Sequence, residues 1–267
     1  MKKNKTKMFL ISLATAVLSV TALLASSEVA PQYEPKDGVV NLYGAGGPHT
    51  ALIRVGKVFT KKTGIPVKVN FGPEHKWTLN AQKNADILWG TAEQAMTAFL
   101  QNYKEFSSND VMPIYIRRAV IAVQKGNPKH IKGFDDLIKP GMKLVVTEGA
   151  GVYNTSGTGV WEDVAGRLGS LEDVKAFRKN IIDFAKGSGA SFRAFKGKKA
   201  DGWITWAHWP LTHPNDAQIV EISKERAIYR DLTIVTNDKV DPETAKFIKF
   251  LNGKEALEIF KSEGWTK

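Results

Sequence analysis

Three glycine- and hydroxyl-rich turns hold most of the residues that could do chemistry. The first, Gly44-Ala45-Gly46-Gly47-Pro48-His49-Thr50, joins an apolar β-prone run to a helical segment. Such a turn gathers the unpaired first-turn N–H groups and the positive end of a helix dipole at one point, and glycines let an oxyanion come close to the backbone. The chemistry this suggests is anion capture, with Gly46, Gly47, Pro48 and His49 as candidate contacts. A tight turn in which Pro48 opens a helix accounts for the same residues. The dinucleotide fingerprint is broken, because His49 stands where its third glycine belongs, and no Gly-Lys-Ser/Thr of a phosphate loop occurs here.

The second turn, Asn154-Thr155-Ser156-Gly157-Thr158-Gly159 ahead of Val160-Trp161-Glu162-Asp163, repeats the design with three hydroxyls. Thr155, Ser156, Gly157 and Thr158 are therefore candidate contacts. Thr158 could also cap a helix whose first turn carries Glu162 and Asp163, although one cap does not call for three hydroxyls and an asparagine. Gly187-Ser188-Gly189-Ala190-Ser191 is a third such loop, which either adds a donor or begins a helix. Thr91, after Trp89-Gly90, and Trp206 lie at the carboxyl ends of expected strands, where open α/β sheets bind ligands. Trp206 and Trp209 also read as core or interface aromatics. Of Arg117 and Arg118, only one can face a cleft in an alternating strand, and that one could give a charge-assisted bond to a carboxylate or phosphate.

Catalytic patterns are missing. No serine stands in Gly-x-Ser-x-Gly, there is no His-Glu-x-x-His, and no carboxylates cluster at metal spacing. His208 and His213 are five apart and flank Pro210, which argues against a metal pair on one helical face. Without cysteine there is no thiol catalysis, disulfide framework, cysteine metal site or lipidated anchor. The expectation is a binding protein, not an enzyme, with no cofactor and no metal.

The elements that must position these residues alternate strand and helix. Val39 to Tyr43 reads as a strand, and His49 to Thr63 as a helix with Leu52, Val55 and Phe59 on one face, stopped by Gly64. Strands follow at Ile65 to Phe71 and Ala85 to Trp89, with a short helical stretch around Trp77 between them. Thr91 then caps a helix to Leu100. A second unit places strands at Ala119 to Gln124, Lys143 to Val146 and Gly202 to Trp206, with helices near Val160 to Leu168 and Leu171 to Phe184. Ala85-Asp86 and Ala200-Asp201 each enter an apolar strand, as in two similar lobes. Met112 to Val123 and Arg226 to Thr236 are long β-rich stretches that read as two crossings, hence a hinge. Pro242 to Phe260 holds helices with Ala245, Phe247, Ile248 and Leu251 facing a core, packed back on the first lobe. The division expected is a signal peptide at 1–30, a leader at 31–38, one lobe from 39–116 with 232–267, and the other from 117–231.

Lys2, Lys3, Lys5 and Lys7 before the apolar run Met8 to Ala25 predict a secretory signal peptide and a periplasmic protein that does not stay in the membrane. Losing residues 1–30 removes four lysines and Glu28, which lowers the formal charge from +11 to +8. The basic balance favours anionic partners, although the lysines of 57–62 read simply as a solvated helix face. No aromatic-basic sheet motif points to nucleic acid.

Tyr43-Gly44-Ala45-Gly46-Gly47-Pro48-His49, Ala85-Asp86-Ile87-Leu88-Trp89-Gly90, Gln124-Lys125-Gly126-Asn127-Pro128, the Asn154 to Asp163 run and Ala200-Asp201-Gly202-Trp203-Ile204-Thr205-Trp206 resemble the AcfC family. These are accessory colonization factors related to sulfate- and molybdate-type periplasmic binding proteins. The resemblance spans nearly all of the mature chain. It implies an α/β class II periplasmic-binding-protein fold, two lobes joined by two hinge crossings, closing on a small carboxylate or phosphate anion such as citrate or phosphoglycerate, sometimes as a homodimer. It supports Gly46, Gly47, Pro48, Thr91, Thr155, Ser156 and Thr158 as cleft positions, with His49, Arg117 and Trp206 as neighbours. The expected partners are a small anionic ligand and an ABC transporter permease or chemoreceptor. An adhesin acting through its basic exterior is the alternative. Gly-Gly-Pro-His in place of a serine-rich first loop argues against a bare tetrahedral oxyanion.

Overall fold

The computed structural model describes residues 31–148 and 159–267. Strand β1 (Val40–Gly44) leads through the first glycine turn into helix α1 (His49–Thr63), whose buried face is Ala51, Leu52, Val55, Gly56 and Phe59. The lysines of 57–62 lie on the exposed side, as a solvated face should. Gly64 ends the helix in the left-handed region at φ +77°, its N–H donating to the Thr60 carbonyl at 2.8 Å. Strand β2 (Val67–Phe71), helix α2 (Thr78–Asn84) and strand β3 (Ile87–Gly90) follow. Both β2 and β3 run parallel to β1.

A sheet with parallel pairs is covered on both sides, so its strands read as continuous apolar runs. On β1, Val40 and Leu42 join one buried cluster while Tyr43 joins the opposite one. Ile87 and Trp89 are divided from Leu88 on β3 in the same way.

Helix α3 (Glu93–Asn102) precedes strand β4 (Met112–Gln124). The short helix α4 (Phe134–Leu137) then leads to strand β5 (Leu144–Thr147). Beyond the gap in the described residues lie helix α5 (Val160–Ala165), helix α6 (Leu171–Lys179), strand β6 (Ile181–Ala185), helix α7 (Ser188–Gly197), strand β7 (Gly202–Trp206), helix α8 (His208–Thr212) and strand β8 (Ala217–Val220). Strand β9 (Tyr229–Val235), helices α9 (Glu243–Leu251) and α10 (Lys254–Lys261), and strand β10 (Trp265–Thr266) complete the chain.

Strand β4 belongs to two sheets. Its first half pairs with β9 and β10, and Ala119 to Gln124 pair with β7 and β8. Around the first half stand β2-β1-β3-β9, and beyond the second stand β7-β5-β6, with β5 parallel to both β6 and β7. Strand β9 runs antiparallel to β4 and to β3, and Ile228 just before it accepts from the Ala119 N–H at 2.8 Å, where β4 passes from one sheet to the other.

The paired Ala-Asp motifs have a physical basis. Asp86 donates its N–H to the Asn41 carbonyl at 3.0 Å and accepts from the Asn41 N–H through its carboxylate at 2.7 Å. Asp201 does the same with Lys143, at 2.7 and 2.9 Å. In each half an aspartate closes the ladder between two parallel strands, β1 with β3 and β5 with β7.

Three expectations are corrected. Thr91 does not cap α3: Ala92 holds the N-cap position, with no side-chain cap bond. The helix expected through Phe184 stops at Asn180, whose amide donates to the Leu137 and Lys139 carbonyls at 2.8 and 2.7 Å, and the Ile-Ile-Asp-Phe-Ala that follows pairs with β5 as β6. Ala245 is exposed, and the buried face of α9 is Thr244, Phe247 and Leu251. Among the described residues, no helix is long and apolar enough to cross a membrane.

Candidate functional site

The first glycine turn is seated by its own strand neighbours. The Trp89 indole donates to the Ala45 carbonyl at 2.8 Å, and the His49 N–H donates to the Gly46 carbonyl at 3.3 Å. Pro48 occupies the N-cap of α1, which has no side-chain cap bond and no acidic residue in its first turn. Its first-turn N–H groups therefore have no side-chain cap from the helix itself, and the nearby carboxylate, Glu263, is held by the Thr50 hydroxyl and Arg54. His49 stacks on Phe71 with ring centroids 4.0 Å apart and holds Nδ1 3.2 Å from the Gly46 carbonyl. Burial lowers its pKa, so the imidazole is neutral at neutral pH.

Gly47 faces a confined space. A Cβ there would stand 3.1 Å from a terminal nitrogen of Arg117 and 3.3 Å from the Thr91 methyl. Thr91 is buried, and its carbonyl accepts from Arg117 Nη2 at 3.1 Å. The Arg117 guanidinium lies 4.3 Å from the Trp206 ring centroid and 5.2 Å from that of Trp265. Gly47 from the turn before α1, Thr91 from the end of β3, Arg117 from β4 and Trp206 from β7 therefore meet at one place. Gly46, Pro48 and His49 border it on the same turn.

Arg117 is only 2 % exposed, pairs with no carboxylate among the described residues, and has no hydrogen-bond partner at Nε. Desolvation and then repulsion from Arg230 depress its pKa to about 9, against the attraction of Asp231. It stays a cation at neutral pH, and a buried cation is costly unless an anion meets it. Arg118 points the other way and binds Glu221 at 3.1 and 2.6 Å. Strand alternation allows only one arginine inward, and Arg117 is that one.

The candidates Thr155, Ser156, Gly157 and Thr158 lie outside the described residues. The helix after them, α5, has Gly159 at its N-cap, at φ +85°. In the third loop, Gly187 caps α7 and Ser191 is buried against Thr147 at 2.7 Å, so the loop begins a helix.

Sequence reasoning missed two residues at the site. Trp265, on the last strand, covers Arg117, and His208, directly after β7, stacks near Trp265 with centroids 6.1 Å apart. His208 is 4 % exposed, and neither of its ring nitrogens has a partner among the described residues. The only local signal was the proximity of His208 to Trp206, and nothing in the C-terminal segment marked Trp265.

In a chain of two mixed α/β halves, a buried arginine without a carboxylate partner among the described residues suits ligand capture, and residues 40–266 match the family model of a bacterial extracellular solute-binding protein. The chain belongs to that family. This solute-binding protein is similar to L-phospholactate-bound PEB3, with 44 % identity over 85 % of this chain and 99 % of that one and a TM-score of 0.81. It is also similar to Peb3 from Campylobacter jejuni, with 43 % identity over the same shares and a TM-score of 0.79. The periplasmic molybdate-binding protein of Azotobacter vinelandii shares the fold, with 14 % identity over 85 % of this chain and 99 % of that one and a TM-score of 0.63. No curated protein matches the chain. The fold is therefore the class II periplasmic binding fold, two α/β lobes joined by two crossings.

Proposed function

We propose that this solute-binding protein is a periplasmic receptor that closes its lobes on a small organic anion, a carboxylate or phosphate of the size of citrate or phosphoglycerate. It serves uptake or chemosensing and, as an accessory colonization factor would, colonization. The observation that carries the reading is Arg117, a buried guanidinium with an unpartnered Nε, no carboxylate partner among the described residues, and the uncapped start of α1 alongside. A site of fixed positive charge and free donors is complementary to an oxyanion. The phospholactate bound to PEB3, a protein 44 % identical, supports a phosphorylated carboxylate in particular.

In this reading, residues 39–116 with 232–267 form one lobe and 117–231 the other, and bending within β4 and β9 closes them. Gly46, Gly47 and Thr91 contribute from one side of the cleft, and Arg117 stands where β4 crosses between the lobes. Thr155, Ser156, Gly157 and Thr158 contribute from the other, with Trp206 at its floor. A transporter permease or chemoreceptor reads the closed form, and the protein binds its ligand without turning it over.

Thermal unfolding with phospholactate, phosphoglycerates, citrate, sulfate and molybdate tests the reading, because a ligand that binds only the folded state raises Tm by mass action. An organic anion is expected to raise Tm, and Arg117→Met to weaken its Kd by about tenfold to a hundredfold, the worth of a hydrogen bond to a charged group. If none of these anions moves Tm, the reading is wrong.

A further inference from the structure

His208 is a buried titratable group, and burial above all disfavours its charged form. Arg117 faces it from β4, His49 from the head of α1 and His213 from the end of α8, and each of these disfavours its protonation. Glu263, just before β10, is engaged by Arg54 at 3.0 Å and by the Thr50 hydroxyl, and its attraction falls on His49. His213 holds Nδ1 2.9 Å from the Trp209 carbonyl. No carboxylate among the described residues acts on His208.

The position is built to hold the ring in place. Ala207 donates its N–H to the Arg118 carbonyl at 3.1 Å, which ties the start of α8 to β4 beside Arg117. From the other side, Gly264 at φ +81° packs so closely that a Cβ there would lie 3.0 Å from the Ala207 Cβ. Trp265 then stacks at 20° to the imidazole. An imidazole fixed this firmly with both nitrogens unpartnered is unusual, since buried polar atoms nearly always find a partner. The neighbouring Arg117 Nε and Trp265 Nε1 are unpartnered and buried too. Two buried donors and a buried imidazole around Trp265 are thus without a partner among the described residues.

We propose that His208 is a ligand contact and that this protein takes up a proton with its ligand, a multivalent oxyanion such as a phosphorylated carboxylate. The proposal rests on the receptor reading and adds a specificity determinant to it. In the empty site, burial and then the Arg117 cation keep the imidazole neutral. A dianion placed between Arg117 and His208 reverses the sign of the local field and supplies an acceptor for the new N–H. The proton comes from solvent and returns to it on release. Monovalent carboxylates bring too little charge to protonate the ring, so the site selects for charge as well as shape.

The test is isothermal titration of phospholactate into the full mature chain at pH 7.5, in two buffers of different ionisation heat. At that pH a phosphoryl group, with a second pKa of about 6, is already a dianion, so proton uptake reports on the protein. The expected result is uptake of a large fraction of one proton by the wild type and none by His208→Gln. Kd should rise by up to tenfold per pH unit from pH 7 to 8, below the titration of Arg117, in the wild type, and stay nearly level there in the variant. Binding by the wild type without proton uptake overturns the proposal and leaves the receptor reading standing. Uptake that persists in a folded His208→Gln also overturns it, by assigning the proton elsewhere. If the wild type binds neither phospholactate nor any other anion of the Tm screen, the receptor reading itself fails. Should His208→Gln not fold, the wild-type titration alone still decides the question of uptake, and His208→Asn addresses the assignment.

Discussion

Gly44 sits where a methyl group has no room. A Cβ there would stand 2.4 Å from both the carbonyl and the indole ring of Trp89, its partner across β1 and β3. Gly44→Ala is expected to cost about 1–3 kcal/mol of stability as an overpacked core does, measurable by urea unfolding. Because the same indole holds the Ala45 carbonyl, the substitution should also weaken ligand binding. That the turn is glycine-rich was plain in the sequence, but the reason differs along it. Gly44 answers to Trp89, and Gly47 to Arg117 and Thr91. Thr91 was picked out for its place after β3, yet what it offers Arg117 is its carbonyl, and its helix-capping role passes to Ala92.

At the scale of elements, the boundary signals with strong backbone chemistry were readable. Helix α1 runs from His49 to Thr63 as its periodicity and Gly64 indicate, and Gly64→Ala should cost about 1 kcal/mol for holding alanine in the left-handed region. Helix α6 shows the limit. Its apolar pattern runs on without a break into β6, and the switch is made by distant carbonyls of Leu137 and Lys139 that engage Asn180. Arg226 is another distant device. It donates to the Val164 and Ala165 carbonyls at the end of α5, at 3.1 and 3.0 Å, binds Asp173, and lies 4.1 Å from the Phe134 ring centroid. Arg226→Met strands those carbonyls and a half-buried carboxylate, so we expect a loss of about 2–3 kcal/mol in chemical denaturation.

For the whole molecule, two buried groups give opposed pH dependences. Asp86 accepts from the Asn41 and Asp241 N–H groups, but desolvation dominates and raises its pKa from 3.8 to about 7. The folded state then binds the proton more tightly than the unfolded chain, so stability from this group is lost as pH rises through about 7. His208, held well below 6.5 by burial, works the other way, and its share of stability is lost as pH falls below the unfolded value. Asp86→Asn should therefore remove a loss of stability that accompanies rising pH between about 4 and 7, seen as a change in the slope of Tm against pH over that window in a differential scanning series.

The sequence by itself determined the alternation of strand and helix, the two long β-rich stretches that form β4 and β9, and the glycine turn before α1. These follow from local periodicity and glycine geometry, which act over a few residues. Only the tertiary structure decided which arginine turns inward, that Trp265 from the last strand covers it, and that His208 is buried near it without a partner among the described residues. Arg117 and Trp265 meet through an antiparallel pairing across most of the chain. A contact of that kind is made by sheet register and core packing and leaves no local pattern to read.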